Sequence, residues 1–149
     1  DMEYLRASGS MPCLSKIVEI NGNKYLDGGI ADSIPLKKAK EMGYGKIIVV
    51  TTRPIEYRKE KGMFLPFKLK YKAYPKFLER IKNRYIEYNE TVEEIIKEEK
   101  DGKIFVIRPT QVVKISKIEK DPAKIEAQYQ VGFKDAVNKL DDLKKYLEK

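Results

Sequence analysis

The residues of this sequence best placed to do chemistry are Asp27, Gly28 and Gly29, which follow Tyr25 and Leu26 directly. An acid after an extended apolar pair stands where a strand ends, and strand ends are where open α/β sheets bind ligands. There a carboxylate could orient or deprotonate a hydroxyl held within about 3 Å. The two glycines would let the chain turn sharply or bring its backbone close to another group. Asp-Gly is also among the commonest turn dipeptides, so the same residues read more simply as a plain turn.

Other reactive side chains are few. Ser8 and Ser10 flank Gly9, but a nucleophilic serine needs an activating base and an oxyanion hole. Neither stands beside them, so both are expected to hydrogen-bond within a loop. Cys13 is the single cysteine and has no flanking motif that would lower its pKa; it is expected to be a small buried hydrophobe. The sequence contains no histidine. That excludes an imidazole base supplied by this chain and any zinc site built from His and Cys. No cofactor and no metal are expected.

Several elements must position Asp27. Residues 16–20 alternate and are β-branched, Asn21-Gly22 is a hairpin turn signal, and residues 24–26 resume the extended pattern. Asp32 or Ser33 can cap a following helix, with Pro35 in its first turn and Gly43 or Gly45 at its end. Residues 46–52 form an almost continuous apolar run, which suits a strand buried on both faces of a parallel sheet. From residue 53 a loop is expected, then a helix from about Pro75. Residues 90–100 are helical by period, and 104–109 suggest a second buried strand. Asp121 and Pro122 open a last helix with a stripe of Ile125, Tyr129, Phe133, Val137, Leu140, Leu143 and Leu147. Gly132 could interrupt it.

Charge is concentrated in one place. The chain is 149 residues long, 36% charged, with a net charge of +8. All of that excess lies in residues 53–84, which hold 11 Lys and Arg against 3 Asp and Glu. Aromatic residues interleave with the lysines. A solvated helix face is one reading. Docking on an anionic membrane is another, with residues Met63 to Phe67 as the insertion tip and Phe64, Phe67, Lys68, Lys70 and Lys72 as contacts. Nucleic acid is a third. No apolar run reaches the roughly 18 residues of a spanning helix. The first residues lack a signal-peptide pattern, and a lone cysteine fits a reducing compartment. A cytoplasmic protein, peripheral at a membrane, is expected.

The longer string that contains Asp27 resembles the C-terminal half of bacterial patatin-like phospholipases. Ala7, Ser8, Pro12, Asp27, Gly28, Gly29 and Pro35 occupy the positions of that family's signature around its catalytic acid. Residues 88–109 and 121–136 look like the tail of one bacterial branch, so the resemblance covers nearly the whole chain. It implies a serine–aspartate dyad that hydrolyses lipid esters through an acyl-enzyme, with Asp27 as the acid and Gly28 and Gly29 shaping its turn. Such a dyad uses no histidine. The family's Gly-x-Ser-x-Gly elbow and glycine-rich oxyanion loop are not in this sequence. Cys13 to Lys16 also depart from the aromatic and prolines many members carry after Pro12.

The expected fold is therefore α/β: a partial patatin-like three-layer sheet with helices, its N-terminal half absent. Residues 1–149 would form a single unit, with 1–52 holding the catalytic Asp, 53–88 a basic and aromatic insertion, and 89–149 a helix–strand–helix. The expected partners are a lipid ester and an anionic membrane surface, with no nucleic acid. A sheet edge left open would favour self-association, or else residues 1–15 would be disordered. The alternative function is a small basic α/β module that binds anionic membrane or nucleic acid, with Asp27 only a turn residue.

Overall fold

The computed structural model describes residues 2–112, 114–116 and 118–148. Its elements in chain order are α1 (Met2–Ser8), β1 (Val18–Ile20), β2 (Asn23–Tyr25), a 3-10 turn (Gly28–Ile30), α2 (Leu36–Glu41), β3 (Ile48–Val50), α3 (Leu65–Lys70), α4 (Pro75–Lys100), β4 (Phe105–Ile107), α5 (Pro122–Asn138) and α6 (Leu140–Glu148). The architecture is mixed α/β with small sheets. The chain divides into two compact units, Asp1–Pro35 with Arg58–Thr91, and Leu36–Tyr57 with Val92–Lys149.

In the first unit, β1 and β2 form the expected antiparallel hairpin, with Val18 opposite Tyr25 and Ile20 opposite Asn23. Its two-residue loop is Asn21-Gly22, at φ 51° and 73°. Paired left-handed residues match the twist of the flanking strands, which is why Asn-Gly is favoured there. Helix α1 packs on this hairpin: the Tyr4 ring meets the Tyr25 ring edge-on at 5.6 Å. Met2–Ser8 is thus helical where disorder was one expectation; Asp1 lies outside the described residues. Ala7, Val18, Ile30 and Tyr71 form the buried core.

In the second unit, β3 and β4 pair in parallel, with Val49 opposite Val106. The expectation that β3 is buried on both faces is corrected. Val49 is buried, but Ile48 is 42% and Val50 69% exposed. Side chains alternate across a strand, and in this two-stranded sheet only one face of β3 is covered. Tyr146 of α6 secures the covered region. Its buried hydroxyl accepts from the Ile47 N–H at 3.2 Å and donates to the Lys103 carbonyl at 3.0 Å. Thus one phenol ties the residue before β3 to the loop before β4. Asp135, also buried, accepts from the Thr110 N–H at 2.8 Å and its hydroxyl at 2.7 Å.

Helix boundaries follow local chemistry. Gly43, at φ 74°, closes the turn after α2. Asp121 caps α5 as expected, accepting from the Ala123 N–H at 3.0 Å. Gly132 does not interrupt that helix; the break comes at Lys139, between α5 and α6. α4 is one helix of 26 residues that runs unbroken through positions 88 and 89. α3 is a helix within a stretch read from sequence as loop. On α5 the residues of the predicted stripe, Ile125, Tyr129, Phe133 and Val137, are each about half exposed.

Candidate functional site

Asp27 lies two residues past β2 and caps the 3-10 turn. Its Oδ1 accepts from the Gly29 N–H at 2.7 Å, and its own N–H donates to the Ser10 carbonyl at 2.9 Å. The carboxylate is half-buried, and Oδ2 has no hydrogen bond among the described residues. One oxygen therefore does the work of a turn while the other stays available. The two sequence readings of Asp27, turn residue and reactive acid, are geometrically compatible.

The glycines act differently from each other. Neither Gly28 nor Gly29 has a positive φ, so left-handed freedom is not what the site uses. A Cβ on Gly29 would lie 3.0 Å from Asp27 Oδ1, tighter than ordinary contact, and 3.7 Å from Arg84 Nη2. Gly29 is thus the close-approach residue. A Cβ on Gly28 would meet Ser8 Oγ at a comfortable 3.8 Å.

Around this turn the carbonyls are tied down. The Gly29 carbonyl accepts from Ser33 Oγ and from Arg84 Nε, both at 2.8 Å. The Ala31 carbonyl accepts from Arg80 Nη2 at 2.7 Å. Arg80 also pairs with Glu87 at 2.7 Å. Arg80 and Arg84 stand four apart on α4, so they share a face. Sequence reasoning counted them only as part of the basic segment. Their i, i+4 spacing behind Pro75 was visible, but their partners, two backbone carbonyls about fifty residues away, carry no sequence signal.

The remaining candidates lie apart from Asp27 in role. Ser10 is buried and its Oγ donates to the Arg6 carbonyl of α1 at 2.7 Å, so it ties down the end of that helix rather than a loop, and Ser8 is itself the last residue of α1, which corrects the loop expected for both. Cys13 corrects its expectation: it is exposed, at φ 68°. Its backbone is what the structure uses, since its N–H donates to the Tyr71 hydroxyl at 2.9 Å and its carbonyl accepts from Lys70 Nζ at 3.4 Å. The membrane candidates divide by face. Phe64 and Phe67 are half-buried, in line with fully buried Tyr71 at i, i+3 and i+7. Lys68, Lys70 and Lys72 are exposed. So are Met63 and Leu65, within the expected insertion tip of residues 63–67, and Leu69, which lies outside that tip.

Similarity to known proteins divides the chain. Residues 2–40 match the model of the family described as patatin-like phospholipase, and this stretch contains Asp27, Gly28 and Gly29. A segment of 54 residues is 39% identical to the "Uncharacterized protein YjjU" of Escherichia coli (strain K12). That segment is 36% of this chain and spans only 15% of the length of that relative. The resemblance drawn over nearly the whole sequence is therefore matched at its front, as a patatin-like N-terminal region. Residues 74–148, half of the chain, match the family described as "Domain of unknown function (DUF6363)", and the chain belongs to that family.

Proposed function

We propose that this chain is part of a patatin-like lipid acyl hydrolase in which Asp27 is the acid of a serine–aspartate dyad. The nucleophilic serine and oxyanion loop would lie in sequence upstream of it. The observation that carries this reading is a half-buried carboxylate with one oxygen fixed by Gly29 and the other unengaged, inside the patatin-like match. A fixed acid can hold or accept the proton of a serine without an imidazole between them. The exposed Ile48 and Val50 of β3 support a larger, three-layer patatin-like sheet, since parallel strands are normally covered on both faces.

The test compares Asp27→Asn with Asp27→Ala in the full-length protein. Asn keeps an oxygen for the Gly29 N–H but cannot act as a base; Ala removes both. Hydrolysis of a short chromogenic ester should fall at least ~100-fold in both variants. Only Ala should also lose stability, by about 1 kcal/mol for the missing cap. Retained hydrolysis in Asp27→Asn would leave Asp27 as a turn residue only. The chain of residues 1–149 alone should not turn over the ester or react with a fluorophosphonate.

An ester-bearing lipid must be met at an interface, and α3 fits that task. Leu65 and Leu69 form one exposed ridge, Met63 precedes it, and Lys68 and Lys72 stand beside it. An apolar ridge with basic flanks suits an anionic bilayer. Among the described residues no helix is long and apolar enough to cross a membrane, so contact here would be at the surface.

A further inference from the structure

We propose that Arg84, supported by Arg80, is a positioning residue for Asp27, so that the region matched by the family of unknown function supplies part of the support for the acid of the patatin-like region. This rests on the reading of Asp27 as the dyad acid. Both arginines fall within residues 74–148 and the turn they hold falls within residues 2–40.

Gly29 links the arginines to the acid. Its N–H holds Asp27 Oδ1, and its carbonyl is held by Arg84 Nε and Ser33 Oγ. The two peptide planes that flank one glycine are therefore both fixed. Glycine is the residue least able to fix its own backbone. Without an external donor on the carbonyl, the N–H that aims the carboxylate would swing with it. Two residues on, Arg80 takes the Ala31 carbonyl, and Glu87 holds Arg80 in place. Arg84 is half-buried, and a charged donor to a carbonyl makes one of the stronger hydrogen bonds.

The chemistry asks for this kind of support. In a dyad, the carboxylate must by itself present an oxygen to the serine hydroxyl, with no imidazole to adapt. Misplacement of a catalytic group by about 1 Å can cost on the order of 100-fold in rate. The arginines touch neither serine nor substrate in this scheme. They act on the acid through the backbone.

The test uses the full-length protein and four variants: Arg84→Met, Arg84→Gln, Lys82→Met and Asp27→Asn. Met fills the volume of the arginine stem without a donor. Gln places its amide nitrogen the same number of bonds from the backbone as Arg84 Nε, so it can remake the bond to Gly29. Lys82 is an exposed neighbour on the same helix and controls for lost positive charge. Endpoint labelling by a fluorophosphonate counts folded sites; kcat per labelled site and the rate of labelling report how well the serine is activated. Arg84→Met should lower both rates by roughly 10- to 100-fold with little change in KM. Arg84→Gln should regain most of that loss, and Lys82→Met should match wild type. If Arg84→Met keeps wild-type kcat per site while Asp27→Asn is inactive, the positioning role is overturned and the dyad reading survives. If Asp27→Asn remains active, both fall. Should Arg84→Met fail to label at all, Arg84→Lys decides, because its ammonium sits one bond further out than Nε. Full labelling with a several-fold lower kcat supports the placement, and wild-type kcat overturns it.

Discussion

The exposed ridge of α3 allows a prediction whose size can be worked out. Leu65 is 65% and Leu69 71% exposed, so about two-thirds of each side chain is available for transfer into lipid. Leu→Ala removes three carbons, at ~0.8 kcal/mol per buried CH₂. Scaled by exposure, each substitution should forfeit about 1.6 kcal/mol, and the double variant Leu65→Ala/Leu69→Ala about 3 kcal/mol. That is roughly two orders of magnitude in the partition coefficient onto vesicles. Alanine is the best helix former, so α3 itself should persist. Lys68→Gln/Lys72→Gln should lose about 2 kcal/mol, near 1 for each basic residue close to an anionic surface. The two losses differ in kind: the leucine effect should survive added salt, and the lysine effect should fade with it. The assay is co-sedimentation of the full-length protein with phosphatidylcholine vesicles, with and without phosphatidylserine, at low and high salt. A double leucine variant that partitions within about threefold of wild type would refute insertion of this ridge. Tight binding to random duplex DNA, with no vesicle binding, would refute membrane docking and favour phosphate recognition.

Two further outcomes are expected. Tyr146→Phe removes the hydroxyl that joins Ile47 to Lys103. The loss should be about 1–3 kcal/mol, read as a fall of several degrees in the thermal midpoint, at ~2–4 °C per kcal/mol for a chain of this size. An unchanged midpoint would mean that water replaces the phenol without loss. Glu119 accepts from the N–H groups of Asp121, Ser116 and Lys120, and these bonds, that of Asp121 foremost, hold its carboxyl below the ordinary glutamate value. A lowered folded value means the ionised carboxylate adds stability above the ordinary value and loses it as pH falls through the lower one. Urea melts of wild type and Glu119→Gln should therefore differ at neutral pH and converge in acid. A gap independent of pH would contradict this.

What was legible in the sequence was whatever local chemistry decides. Asn21-Gly22 specifies its turn because two left-handed residues are needed there and few pairs accept that. Asp121 and Pro122 start α5 for equally local reasons. Parallel pairing of the two apolar runs was also readable, since the intervening helices leave room for a crossover. Burial was not local. The apolar run at 46–52 suits a strand covered twice, but cover depends on how many neighbours the sheet has. Cys13 was misplaced for a similar reason: a small apolar side chain suits a core, yet here Tyr71 and Lys70 recruit its backbone and leave the thiol outside. At the candidate site, Asp27 and Gly29 stood out by their type. Arg80 and Arg84 did not, because a guanidinium that binds a carbonyl looks in sequence like any other surface charge.

The half-exposed stripe of Ile125, Tyr129, Phe133 and Val137 on α5 has a calorimetric consequence. Apolar surface already in water in the folded chain adds nothing to the heat-capacity change on unfolding. That change should therefore fall below the ~12–15 cal/mol/K per residue of ordinary domains. The denaturant dependence, which also scales with newly exposed area, should be shallow for the length. A low heat-capacity increment flattens the stability curve, so the folded chain should lose little on cooling and melt over a broad range. A molecule that covered the stripe would restore curvature, and that steepening could be followed in a scanning calorimeter.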